Sequence, residues 1–193
     1  MESHKFAIKF FTQSASAPQP KEFVPVFHQW IQQHLIPNHL LIDVADYAHV
    51  PQGPGTVLVS HEAIFSIDQE GGRPGLHYFR RQPFADAHTF EQRLRTAFRA
   101  TLGACALLEN DPAFAGRLKF RTDEILFRIH DRLLAPNTPE VFAQIKPQLQ
   151  ELANKLLAAP VTLEHRGKSE DLMEVIIRSA GSPSVSDLAS RLG

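Results

Sequence analysis

The stretch Asp43–Gly75, DVADYAHVPQGPGTVLVSHEAIFSIDQEGGRPG, decides how the rest of the chain is to be read. Its apolar residues fall in short dense runs, separated by PQGPG and EGGRPG. Glycine supplies the positive φ of a tight turn and proline fixes φ beside it, so both breaks read as reversals. Leu40, Leu41, Ile42 and Val44 at its start are dense enough for a strand covered on both faces. TVLVSHEAIFSIDQ supplies a second strand, and GLHYFRRQ, where Leu76 and Tyr78 alternate with His77 and Phe79, supplies a third. The expectation is a three-stranded antiparallel meander.

On the N-terminal side, KFAIKFF alternates Phe6, Ile8 and Phe10 with Lys5, Ala7 and Lys9, the period of a half-buried strand. After the polar connection TQSASAPQP, Phe23, Phe27, Trp30, Ile31 and Leu35 share one helical stripe, and Pro37 stops it. On the C-terminal side, Thr89 and Gln92 have the spacing of a capping box, opening a helix with Phe90, Leu94, Ala97, Phe98, Cys105 and Leu108 on its apolar face. Asp111 and Pro112 end it. Thr138 and Pro139 start another helix, whose stripe runs Phe142, Ile145, Leu149, Leu152 and Leu156, with a kink expected at Pro147.

RLKFRTDEILFRIHDRLLAPN, over 117–137, fits either a hairpin or a helix. The hairpin, turning at Thr122 and Asp123 with Arg121 opposite Glu124, keeps Phe127 out of water and is preferred. VTLEHRG and LMEVIIRSA add two short strands. SVSDLASRL opens with a second capping-box pair, Ser184 and Asp187, on a segment short enough to fray.

The sum is an α+β domain over residues 1–180, a mainly antiparallel sheet with amphipathic helices packed on one face, and a C-terminal helix or mobile tail over 181–193. The order strand, proline-entered helix, strand occurs twice, from KFAIKFF to LLIDV and from ILFRI to VTLEH, as in two diverged β-α-β halves. If the second sheet face is also apolar, a homodimer would cover it, with Phe11, Phe79 and Phe84 as candidate exposed surface.

Composition narrows function mostly by exclusion. In 193 residues the hydrophobic share is 43%, the charged share 21% and the formal net charge −1. That balance argues against disorder and offers nucleic acid or anionic lipid no global attraction. Arg95 and Arg99 could make only a local patch. Cys105, the sole cysteine, sits among apolar neighbours, as a buried inert thiol does. No run approaches a membrane span and the N-terminal residues lack a secretory h-region, so cytoplasmic residence is the expectation.

Histidines crowd the opening stretch: His39, His49, His61 and His77 lie in or beside it. Their spacing matches no usual metal motif, and His61–Glu62 lacks the second histidine of the metalloprotease helix, so neither a metal nor a cofactor is expected. Ser60 and Ser66 lack a nucleophile elbow, and GPGT and EGGRPG lack the lysine and Ser/Thr of a phosphate loop. The first reading is therefore a non-enzymatic ligand-binding or protein-interaction domain. Its site is the loop end of the meander, where His49, His61, Asp68 and Arg73 would converge, with Arg73 pairing a small anionic ligand or a protein partner. The alternative is a metal-assisted hydrolase using Asp43, Asp46, His49, His61 and Glu62. A structural or assembly subunit is the third.

DVADYAHVPQGPGTVLVSHEAIFSIDQEGGRPGLHYFRR and LKFRTDEILFRIHDRLLAPNTPEVF together resemble a family of uncharacterised bacterial proteins, over roughly Phe6 to Arg166. The resemblance implies a bacterial cytosolic protein and carries no catalytic residue across.

Overall fold

The computed structural model describes residues 1–13, 18–86, 89–114 and 116–192. Among these, eight strands form one antiparallel sheet in the order β2-β3-β4-β5-β1-β6-β8-β7. They are β1 (Phe6–Thr12), β2 (Leu41–Tyr47), β3 (Gly55–Ser60), β4 (Ala63–Asp68), β5 (Gly75–Arg80), β6 (Phe120–Ile129), β7 (Val161–Arg166) and β8 (Met173–Ser179). The helices are α1 (Phe23–Gln33), α2 (Phe90–Asn110), α3 (Pro139–Leu157) and α4 (Val185–Arg191). Among the described residues no helix is long and apolar enough to cross a membrane.

The helices share one face of the sheet. α1 packs on β2 and β3, α2 on β1 and β5, and α3 on β7 and β8. Phe6, Ile8, Phe10, Phe65, Tyr78 and Phe127 from the strands meet Phe27, Trp30, Leu94, Phe98 and Leu149 from the helices in one core. The opposite face carries a smaller cluster, Phe11, Leu126 and Ile176. This is the expected α+β plan. The two halves also follow one path: a central strand (β1 or β6), a helix, then a far-edge strand and a return to pair beside the central one.

Local capping chemistry places the helices as expected. Gln92 N–H donates to Thr89 Oγ1 at 3.2 Å and Thr89 N–H to Gln92 Oε1 at 3.0 Å, opening α2. Thr138 caps α3 with Pro139 at its first position, and the helix continues through Pro147. The Ser184–Asp187 box opens α4. Val185, Leu188 and Leu192 are buried against α2 and α3, and Arg191 donates to Leu156 O at 2.7 Å.

Four strand expectations are corrected. The meander has four strands, because TVLVSHEAIFSIDQ folds back at His61–Glu62. No glycine is needed there: Ser60 Oγ donates to Ala63 O at 2.8 Å and accepts from Ala63 N at 2.9 Å, closing the turn with a side chain. β2 is the sheet's edge, not a strand covered on both faces, and leaves Ile42 56% exposed. Residues 120–129 are a single ten-residue strand, neither hairpin nor helix, held between β1 and β8. Finally, β1 is central and buried on both faces, so Lys9 is 1% exposed where a solvated lysine was expected. Phe11 and Phe84 are likewise buried, each beneath a guanidinium, Arg73 and Arg80 respectively. They cannot form the exposed dimer patch, and Phe79 is half-buried.

Gly55 shows how tightly β3 and β4 meet. Its φ is +63°, and a Cβ there would stand well inside contact distance of Ile67 O. Gly55→Ala is expected to lower unfolding free energy by more than about 2 kcal/mol, from left-handed strain plus a backbone clash. Urea unfolding midpoints of the two proteins, at equal m, measure it.

Candidate functional site

α1 and α2 sit over different strands, and between α2 and the segment that follows α1 lies a cleft of about 780 Å³. One wall is α2. Ala100, Gly103, Ala104 and Leu107 fall at i, i+3, i+4 and i+7, so they share a face turned to the cleft, with Thr96 one turn before them. Leu35, Ile36 and Pro37, after α1, face them, and Phe84 and Arg80 come from the end of β5. The α2 wall is short-chained at Ala100, Gly103 and Ala104, which leaves room.

Gly103 is the informative wall residue. In the interior of a 21-residue helix, glycine costs about 1 kcal/mol relative to alanine. Close packing does not require it, since a Cβ at Gly103 would meet nothing within 4 Å. The helix carries a local cost whose structural result is a wider cleft.

One of the polar residues lining the cleft is His39. Its Nδ1 lies 2.9 Å from Pro37 O, which can only accept, so Nδ1 carries the hydrogen and Nε2 is a bare lone pair. That Nε2 is buried without a hydrogen-bond partner among the described residues. Burial, helped by the Arg80 guanidinium, holds the imidazole below its ordinary pKa of 6.5 and therefore neutral near pH 7, against smaller opposing effects of the Pro37 carbonyl and Glu62. Phe65 and Tyr78 fix the ring edge-on, at 5.3 and 6.0 Å between centroids. Burial also raises the Tyr78 hydroxyl above 10, opposed by Arg80.

The cleft's cations are committed to the backbone. Arg80 donates from Nε to Gln82 O at 2.7 Å and from Nη2 to Pro83 O at 2.8 Å, and stacks over Phe84. Arg99 donates from Nε to Leu192 O at 3.0 Å, tying α4 to α2. Glu62 accepts from Leu40 N–H through Oε2 at 2.8 Å. Thr96 Oγ1 donates to Gln92 O within its own helix.

The opposite face of the sheet holds a second polar assembly. Lys9 Nζ reaches Asp68 Oδ1 at 2.9 Å with both side chains buried. Burial, more than anything else, lowers the Lys9 pKa, while Asp68 opposes it. Beside it His77 and His130 lie with ring centroids 6.3 Å apart. Burial lowers both histidines, His130 to about 4. Arg128 bridges Glu70 and Glu174, each at 2.6 Å. Farther along, the buried Glu124 carboxylate meets Arg73 at 3.0 Å, Arg178 at 3.0 Å and Arg121 at 3.6 Å.

Of the residues expected at the meander site, Asp68 and Arg73 lie at one end of the sheet, but with partners already, Lys9 and Glu124. His49 is exposed in the β2–β3 loop at that same end, its ring 6.4 Å from Tyr47. His61 is at the other end of β3, beside Glu62 in the β3–β4 turn, so the four do not converge. Asp43 and Asp46 are exposed on the edge strand, each accepting a neighbouring N–H, of Val44 and Ala48. Among the described residues, no three His, Cys, Asp or Glu side chains are placed to hold a metal ion. Cys105 is fully buried, and burial pushes its thiol well up.

No known family model, curated protein or solved structure matches this chain. The site rests on its own geometry. Sequence reasoning missed His39 as a cleft residue, and missed Gly103, whose signal was available: an isolated glycine inside a strong helical pattern.

Proposed function

We propose that the chain is a non-enzymatic binding protein whose cleft between α2 and the segment after α1 takes a small, mainly apolar, uncharged molecule. The observation that carries this is the cleft itself, about 780 Å³, a volume typical of small-molecule sites, with Ala100, Gly103 and Ala104 leaving its α2 wall open. Arg80 and Arg99 are spent on backbone carbonyls, which favours a neutral ligand over an anionic one. Binding without catalysis is supported by the cleft's inventory among the described residues: its one lining hydroxyl, Thr96, is turned to its own helix and stands in no nucleophile–base pair.

Screening benzyl alcohol, cyclohexanol and benzamide against the full chain by ligand-observed NMR tests this. At least one is expected to bind saturably, with contacts reported by Ala100, Ala104 and His39. Gly103→Phe should fill the space and abolish that binding without unfolding the helix, because nothing stands where the new side chain begins. Binding unchanged in Gly103→Phe, or no saturable binding by any of the three, would overturn the reading.

A further inference from the structure

At the other end of β5 from the cleft, a recess of about 230 Å³ opens between the β1 terminus (Phe11, Thr12, Gln13), the β4–β5 loop (Gly72, Arg73, Pro74) and Arg121. Among the described residues, its only charged lining groups are two guanidiniums. We propose that this recess is an oxyanion site, taking the phosphate or carboxylate group of a small metabolite on Arg73 and Arg121.

The charge around the recess is uneven in position. Four guanidiniums (Arg73, Arg121, Arg166, Arg178) are joined by ion pairs to three carboxylates (Asp123, Glu124, Glu164). The acid nearest in sequence to Arg73, Glu70, is held away by two hydrogen bonds to Arg128, at 2.6 and 3.1 Å. Arg128 is thereby paired with two acids, while Glu124 is shared by three arginines.

Arg73 is also held ready. Its guanidinium lies 3.8 Å over the Phe11 ring, and one terminal nitrogen is anchored on Glu124. Its side chain is still 39% exposed. A planar fork fixed from one face and one corner at the wall of an open recess suits a bidentate oxyanion. Arg121 is oriented differently, by a two-point contact of its Nε and Nη2 with the Asp123 carboxylate, at 3.0 and 2.8 Å. Orienting these side chains before the ligand arrives removes part of the ordering cost of binding. Removing Arg73 leaves Glu124 with two cationic partners, so the site can be tested without stranding a buried carboxylate.

The test is a titration of inorganic phosphate, and separately of acetate, into the full chain, followed by amide NMR at constant ionic strength with chloride as the balancing salt. Saturable shifts confined to residues 11–13, 72–74 and 121 are expected with at least one anion, and which anion distinguishes a phosphate from a carboxylate ligand. Arg73→Ala should weaken that binding at least tenfold, and Arg73→Lys should recover only part of it, since a point charge cannot make the fork contact. Arg121→Gln gives the same loss independently. Gly103→Phe should leave the titration unchanged, which separates this site from the cleft. Shifts that stay linear in both anions, binding equal to the parent in Arg73→Ala and Arg121→Gln, or an equal loss in the remote Arg81→Ala control, would overturn the proposal.

Discussion

Asp68→Asn is expected to destabilise the protein by about 3–5 kcal/mol near pH 7, the usual cost of stranding one member of a buried ion pair. Lys9 is 1% exposed, and Asp68 is the carboxylate it contacts, at 2.9 Å. The substituted amide would offer a dipole where an anion was. The loss should shrink as pH rises. Burial already holds the Lys9 pKa below its free value of 10.5 despite Asp68, and losing Asp68 lowers it further. Below that folded-state pKa the full penalty of a buried ammonium is present. Between it and 10.5 the unfolded chain binds more protons than the folded one, so stability climbs with pH. The double variant Lys9→Met/Asp68→Leu removes both charges and should come within about 2 kcal/mol of the parent or exceed it. Urea unfolding at several pH values measures all three proteins. A parent-like Asp68→Asn would mean that the pair contributes nothing.

The second large effect is acid sensitivity from His77 and His130. Both are lowered chiefly by burial, with Arg128 adding to each, while Asp68 opposes at His77 and Glu70 at His130. Their folded-state pKa values lie below the unfolded 6.5. As pH falls through 6.5 the unfolded chain takes up protons that the folded one refuses, so stability drops until the folded imidazoles protonate, near 4 for His130. For His130 the whole window is worth up to about 3 kcal/mol. Unfolding free energies measured stepwise from neutral pH down to about 4.5 should therefore fall steadily, and His130→Gln should remove close to one proton of that slope. A slope identical in parent and variant would contradict the burial of this ring.

The parts of the fold that could be read from the sequence are those written in local chemistry. Thr89 with Gln92, Ser184 with Asp187, and Thr138 before Pro139 each satisfy backbone groups within one turn, so their spacing alone positions three helices. The parts that could not be read depend on neighbours. Whether KFAIKFF is half-buried or central depends on β5 and β6, which lie far away in sequence, and the same long-range pairing turns 120–129 into one strand. The turn at His61–Glu62 uses Ser60 where glycine or proline would have announced it. The cleft was invisible for a related reason: His39, Arg80 and Gly103 come from three separate segments and form no local motif.

The central place of β1 also governs the order in which the molecule can be completed. Phe10 pairs with Leu76 on one side and Ile125 on the other, so β1, the first of the eight strands in chain order, finds its second neighbour only after α2 has been synthesised. Until then one side of β1 is an unpaired, phenylalanine-rich ribbon. Long-range pairing of this kind slows folding and prolongs exposure to aggregation during synthesis. A longer wait for residues 120–129 is expected to lower the yield of folded chain.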